Sequence, residues 1–530
     1  MTKDFHKMVG YQIYPKSFKD TNGDGLGDIS GIIEKLPYLK SLGVDFIWIN
    51  PIYKSPQIDG GYDISDFYAI DESFGTLDDF KALLSAAHKL GLKIMLDLVV
   101  NHTSDQHPWF IEAQKSRDNR YRDYYLWADA TADEMPNNWK SFFGGSTWTY
   151  QEKTGQAYFH VFAPQQPDLN WKNPALRAEI YKMIRFWLEL GIDGFRLDAI
   201  SHIQKAPWDF EITSWEDNGP WQPFMNVAGI ETYLHELKEI FDEYGALTVG
   251  EASGVLSTEA SAWTATDGTG YVDMIFELEH NPRGKNAKEP VKYYKETLMR
   301  WQNDLLARGW NALYIENHDL PRSINMIAAG DERAAGALAV SYMMLRGTPF
   351  IYQGQEIGMT NFPFTDISQA RTTDMLFGYE AAIAEGLTEA AALEKVANDS
   401  RDNSRTPMQW TAGKNSGFTD GTPWMAVNPN ADRINVAAKP QLTELYRQLI
   451  ELRHNEIAIS DGNIEFIAPD DPDIFAYKRD NFLIITNLSD KPATLQLTDI
   501  AGYRQVLGSS ERQLAETLTL SAWDYLVYKK

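Results

Sequence analysis

Short apolar runs rich in β-branched and aromatic residues recur at Met8–Pro15, Val44–Pro51, Leu92–Asn101 and Gly194–Ile200. Four more follow at Leu247–Glu251, Val272–Glu277, Trp310–Asn317 and Thr348–Gln353. Bounded by turn-forming residues, such runs predict buried strands. Between them, apolar positions spaced by three and four predict amphipathic helices at Ile32–Leu42, Leu77–Leu90 and Pro174–Leu190. Gly91 and Gly191 follow two of these helices, and a glycine just past a helix stops it. Eight strand–helix alternations predict a parallel sheet closed as a (β/α)8 TIM barrel, in the α/β class. No glycine-rich dinucleotide fingerprint follows the first strand.

The alternation breaks twice. The stretch after the third strand is far longer than an ordinary βα loop and dense in aromatics, which predicts an inserted, loop-rich domain. Helical periodicity stops after about Leu452. Short alternating runs then follow at Ile464–Ile467, Ile474–Arg479, Phe482–Asn487, Ala493–Gln496 and Tyr525–Lys529, predicting an all-β domain. The expected organisation is barrel over 1–102, inserted domain over 103–172, barrel again over 173–455 and a C-terminal β-sandwich over 456–530.

Composition narrows the function. The 530 residues include no cysteine, so disulfides, thiolate metal sites and cysteine nucleophiles are excluded. A net charge of −25 argues against nucleic acid or an anionic membrane as partner. No apolar run approaches membrane-spanning length, and MTKDFHKMVG lacks the apolar stretch of a signal peptide. A cytoplasmic enzyme, monomeric or homodimeric and acting on a small molecule, is the expectation.

In barrels of this kind the chemistry sits at the C-terminal ends of the strands. The third run ends Asp97-Leu-Val-Val-Asn101-His102, and the fourth contains Arg196-Leu-Asp198-Ala199. The fifth ends at Glu251, and the seventh at Glu316-Asn317-His318-Asp319. Converging carboxylates without a thiol or a serine–histidine pair point to acid/base and nucleophilic carboxylate chemistry, for which glycosidic cleavage is the leading case. Arg196 and Asp198, two apart on a strand, face the same side. The guanidinium is expected to keep Asp198 ionised as a nucleophile, while Glu251 needs a raised pKa to carry a proton. Separately, Asp20, Asn22, Asp24, the Leu26 carbonyl and Asp28 occupy positions 1, 3, 5, 7 and 9 of a calcium-type loop with Gly25 at position 6. Position 12 is Gly31 rather than Glu, so the loop is not a full EF-hand.

DLVVNH (97–102), GFRLDAI (194–200), VGEAS (249–253) and ENHD (316–319) resemble, in order, the four conserved regions of the α-amylase family of glycoside hydrolases. GGYDI (60–64), QPDLN (166–170), IYQGQEIGMT (351–360) and RDNSRTPMQW (401–410) resemble its oligo-1,6-glucosidase and α-glucosidase branch. The resemblance covers essentially the whole chain. It implies Asp198 as nucleophile, Glu251 as general acid/base and Asp319 as the transition-state-stabilising carboxylate. It implies His102, Arg196 and His318 around the same sugar, Tyr62 as its stacking platform, and Phe143 and Phe162 as walls. Asp59 and Arg405 match a pair that closes the pocket beyond the terminal glucose, implying exo action. Structural Ca2+ on the 20–28 loop is implied too, with no organic cofactor.

The same resemblance implies a retaining mechanism through a β-glucosyl–Asp198 intermediate, with transglucosylation when a sugar replaces water. Ala199 after the nucleophile, where strict α-1,6 relatives usually carry valine, favours α-1,4 action on maltose and maltooligosaccharides. α-1,6 action on isomaltose is the alternative. Trehalose-6-phosphate hydrolysis is less expected, because 205–230 holds one basic residue against Asp209, Glu211, Glu216 and Asp217. A sucrose-active relative also ranks lower. An inactive binding subunit would lack one of the three carboxylates, and all three are present.

Overall fold

Eight parallel strands hydrogen-bond into a closed barrel. In chain order they are β1 (Gly10–Ile13), β2 (Phe46–Ile49), β3 (Lys93–Val99), β4 (Gly194–Asp198), β5 (Leu247–Glu251), β6 (Met274–Phe276), β7 (Asn311–Leu313) and β8 (Thr348–Tyr352). Each pairs with its sequence neighbour, and β1 closes on β8 through Gly10↔Phe350. The computed structural model describes residues 4–213, 219–282 and 288–530. All eight predicted strands are present; Leu247–Glu251 keeps its bounds and the other seven are trimmed.

Both faces of the strands are buried, because helices cover the outside and side chains fill the inside. Phe46, Trp48, Met95, Val249, Met274, Phe276, Trp310 and Phe350 form the inner cluster. Register then sets the chemistry. Asp97 on β3 lies directly across from Arg196 on β4, and Val99 across from Asp198. Gly194 opens β4 because a Cβ there would lie 2.1 Å from the Leu247 carbonyl oxygen of β5. The two strands carrying the charged cluster therefore run together without a side chain between them.

The helices form where their ends are capped. Asp28 caps α1 (Ile29–Leu42) by accepting from the Gly31 amide, and Thr76 with Asp79 forms a capping box on α2 (Leu77–Lys89). Asn173 and Pro174 start α3 (Pro174–Leu190), which Gly191 ends in the left-handed conformation.

The insertion carries a three-stranded antiparallel sheet, Trp127–Asp129, Trp148–Gln151 and Gln156–Phe159. Its core of Trp139, Trp148 and Phe159 packs on Ile212 and Phe224 from the segment after β4. After β8 come two helices, α4 (Thr373–Ala384) and α5 (Glu389–Ala397), separated at Gly386 with φ +92°. Helical structure runs past Leu452, through α6 (Pro440–Asn455) and a last turn Ile457–Ser460. The C-terminal region has a five-stranded and a two-stranded antiparallel sheet. Its five predicted strands have the expected bounds. Two more, Arg504–Gly508 and Thr517–Leu520, escaped the pattern; the first is interrupted by a register shift between Gln505 and Leu507. No helix among the described residues is long and apolar enough to cross a membrane.

Candidate active site

One guanidinium organises the β3–β5 side of the barrel mouth. Arg196 Nη1 lies 2.6 Å from Asp97 Oδ1 and 2.5 Å from Asp198 Oδ1, and Nη2 lies 3.0 Å from Glu251 Oε2. The Trp48 ring sits beneath it, 5.1 Å from the guanidinium carbon, and the Trp48 indole N–H donates to Asp97. Three carboxylates thus share one buried cation. Burial, opposed by Arg196 and reinforced by Glu251 and Asp97, holds Asp198 well above the usual carboxylate range. Burial likewise pushes Asp97 up to about 6 against the pull of Arg196. Arg196 pulls Asp198 toward its ionised form, as expected, while burial and the neighbouring carboxylates push the other way. Asp97, read only as part of a strand-end motif, is the third partner.

Ala199 follows Asp198 with φ 44° and ψ 33°, a left-handed conformation uncommon for a residue with a Cβ. This turn aims its N–H at Glu251 Oε2, 3.0 Å away. Both recorded partners of Glu251, the Ala199 amide and Arg196, are donors.

On the β7–β8 side a single carboxylate, Asp319, is reached by two guanidiniums. Asp319 receives Arg405 Nη2 at 2.8 Å, Arg401 Nη1 at 3.2 Å and His318 Nε2 at 3.0 Å. Against the effect of burial, His318, Arg401 and Arg405 hold its carboxyl far below the usual range. Burial keeps His318 well below its ordinary pKa, so it is neutral. The Gln12 amide lies 2.8 Å from its Nδ1, which assigns the ring proton to Nε2, facing Asp319 and the Tyr62 hydroxyl at 2.7 Å.

Tyr62 stacks on His318 with ring centroids 5.3 Å apart. His102, lowered to about 4 by burial, bonds the Tyr62 carbonyl at 3.1 Å and meets the Gln166 amide at 3.1 Å. Gln166 also donates to Asp59 Oδ2 at 3.1 Å. Phe162 lies edge-on to His102, and Phe143 lies 5.8 Å from Phe162.

The pairing expected on Asp59 is corrected as well. Its ion pair is with Arg401, at 3.2 Å, while Arg405 holds Asp319 and donates to the His318 carbonyl at 2.9 Å. The two arginines lie four residues apart on one turn, and spacing alone does not choose between them. Arg401 was missed; its place at the head of RDNSRTPMQW was the available signal.

Lys205, the one basic residue counted in 205–230, has a structural place. It is buried, 2.7 Å from Asp168 Oδ2 and 2.7 Å from Asn101 Oδ1, bridging the inserted domain to β3. Glu216 and Asp217 lie outside the described residues.

On the 20–28 loop, Asp20, Asn22 and Asp24 each accept from the amide two residues on, three consecutive turns that curl the chain around its own oxygens. Asp28 accepts from Thr21 and caps α1. Among the described residues, no three His, Cys, Asp or Glu side chains form a metal-binding group.

Comparison with known proteins fits this geometry. The family model described as "Alpha amylase, catalytic domain" matches residues 12–462. The chain belongs to the α-amylase family. It is 44% identical to the oligo-1,6-glucosidase of Parageobacillus thermoglucosidasius, over 99% of this chain and 98% of that one. It is 46% identical to the oligo-1,6-glucosidase of Halalkalibacterium halodurans, over 90% and 88%. The crystal structure of Bacillus licheniformis trehalose-6-phosphate hydrolase superposes with a TM-score of 0.92 at 40% identity, covering 99% of each chain. A family glycoside hydrolase is the coarse conclusion. The α-1,4 preference drawn from Ala199 is overturned by these relatives' names.

Proposed function

We propose that this family member is an oligo-1,6-glucosidase, removing α-glucose from the non-reducing end of isomaltose and short isomaltooligosaccharides. The observation that carries the reading is Arg196 bridging Asp198 and Glu251, with Asp319 facing them from β7. Asp198 attacks the anomeric carbon as the bond to the leaving oxygen breaks, and Glu251 delivers a proton to that oxygen. For this, Glu251 exchanges the Ala199 amide for the substrate. Water then attacks the glucosyl–Asp198 ester, gives its proton to Glu251 and releases α-glucose with retention. A sugar hydroxyl in place of water gives transglucosylation. The cluster around Arg196 is suited to this cycle because one guanidinium holds the attacking carboxylate and the proton-donating one side by side. Asp59, Arg401 and Phe143 form the closed end that supports exo action.

The test is kcat/KM on isomaltose and maltose side by side. Isomaltose is expected to win by at least tenfold, about 1.4 kcal/mol of transition-state preference; a maltose preference of that size sinks the linkage assignment. Trehalose 6-phosphate is the second reading, favoured by the 40%-identical hydrolase structure. Against it, Lys205, the one basic residue in 205–230, is committed to Asp168. We also propose Ca2+ on Asp20, Asn22, Asp24, the Leu26 carbonyl and Asp28, an all-oxygen donor set suited to a hard cation. Its part is to stiffen the loop.

A further inference from the structure

Arg401 opens a short turn, Arg401–Asn403, and its guanidinium works along two edges. Nη1 lies 3.2 Å from both Asp59 Oδ1 and Asp319 Oδ1. Nε and Nη2 each lie 3.0 Å from a single oxygen, Asp374 Oδ1. The Phe143 ring lies against the guanidinium, 5.1 Å from its carbon. The Arg401 side chain is 12% exposed and that of Asp374 28%.

Asp374 stands in the first turn of α4, where a carboxylate is favoured by the helix dipole. The preceding Thr373 hydroxyl donates to the Ile58 carbonyl at 3.0 Å, beside Asp59. The start of α4 is therefore fastened both to the Asp59 loop and to Arg401.

Two carboxylates draw Nη1 in different directions, and Asp319 already has Arg405. An arginine held at one edge only is free to rotate toward either. A second carboxylate on the opposite edge removes that freedom, because the planar fork fixes the direction of every N–H once one edge is anchored.

We propose that Asp374 is a positioning residue: by holding the Nε/Nη2 edge of Arg401 it keeps Nη1 centred between Asp59 and Asp319, fixing the closed end of the glucose pocket. It acts through Arg401 rather than on the substrate. The inference rests on the glucosidase reading above.

The test compares wild type, Asp374→Asn and Asp374→Glu on 4-nitrophenyl α-D-glucoside, a probe that makes no linkage demand, with thermal melting of each. Asp374→Asn is expected to raise KM by about tenfold while kcat falls less than about threefold, since ground state and transition state lose the same positioning. Melting should stay close to wild type, and Asp374→Glu should recover most of the KM loss. Asp374→Asn kinetics indistinguishable from an active wild type overturn the inference alone. So does a loss of rate that merely follows loss of folded protein and is not rescued by glutamate. A wild type inactive on the probe overturns the glucosidase reading and this inference with it.

Discussion

The two sides of the barrel mouth solve opposite charge problems. Around Arg196, three carboxylates share one guanidinium; around Asp319, one carboxylate is met by two guanidiniums and a neutral imidazole. The first arrangement pushes carboxyl pKa values up and the second drives one down. Both lie in the same buried mouth, so burial alone does not account for the difference. The number of cations reaching each carboxylate does: Asp319 alone receives two guanidiniums, whereas Asp97, Asp198 and Glu251 divide one.

Breaking the first cluster at its centre should have the largest effect. Asp198→Asn is expected to lower kcat by on the order of 10^4-fold or more, as removal of a covalent nucleophile does. Melting should be unchanged or higher, because one of three crowded carboxylates is gone. Single-turnover kinetics and calorimetry check this, and a variant retaining a tenth of the rate would show that the cluster is not where the chemistry lies.

Asp97→Asn sharpens the comparison through stability. Asp97 titrates near 6 when folded against an ordinary 3.8, so the folded protein binds the extra proton between those values. Its contribution is complete at low pH and is lost as pH rises from about 4 to 6, amounting to roughly 3 kcal/mol. Urea melts across that window should show the decline in wild type and lose most of it in Asp97→Asn. Asp319 has the opposite sign: its lowered pKa stabilises above the ordinary carboxylate range and that gain disappears as pH falls below about 4.

The smallest effect belongs to the 20–28 loop, outside both clusters. Chelation should lower the melting temperature by about 2–4 °C and calcium should restore it, with kcat/KM at 25 °C unchanged. A loss of activity in step with melting would tie the loop to the site.

The strand-end motifs made most of the architecture and the three central carboxylates readable in the chain, because a parallel barrel turns local apolar runs and their terminal residues directly into a mouth. What escaped depends on distance across the fold. Asp97 was visible in DLVVNH, yet only the Asp97↔Arg196 register makes it a partner of the guanidinium. Arg401 and Arg405 are equivalent by spacing, and only packing against Phe143 and Asp374 assigns Arg401 to Asp59. The Lys205–Asp168 pair was not legible, because its two members lie in different domains of the chain.

The closure of β1 on β8 also has a consequence in time. Gly10 waits for Phe350, about 340 residues later, before its second edge is paired. At a synthesis rate of ~5–20 residues per second, that wait lasts roughly 20–70 s on the ribosome. Through that interval β1 presents an open strand edge, the kind of surface that pairs with other chains. For this enzyme the hazardous stage of its life is its own translation, and conditions that slow elongation should lower the yield of active protein more than that of a chain with sequence-local strands.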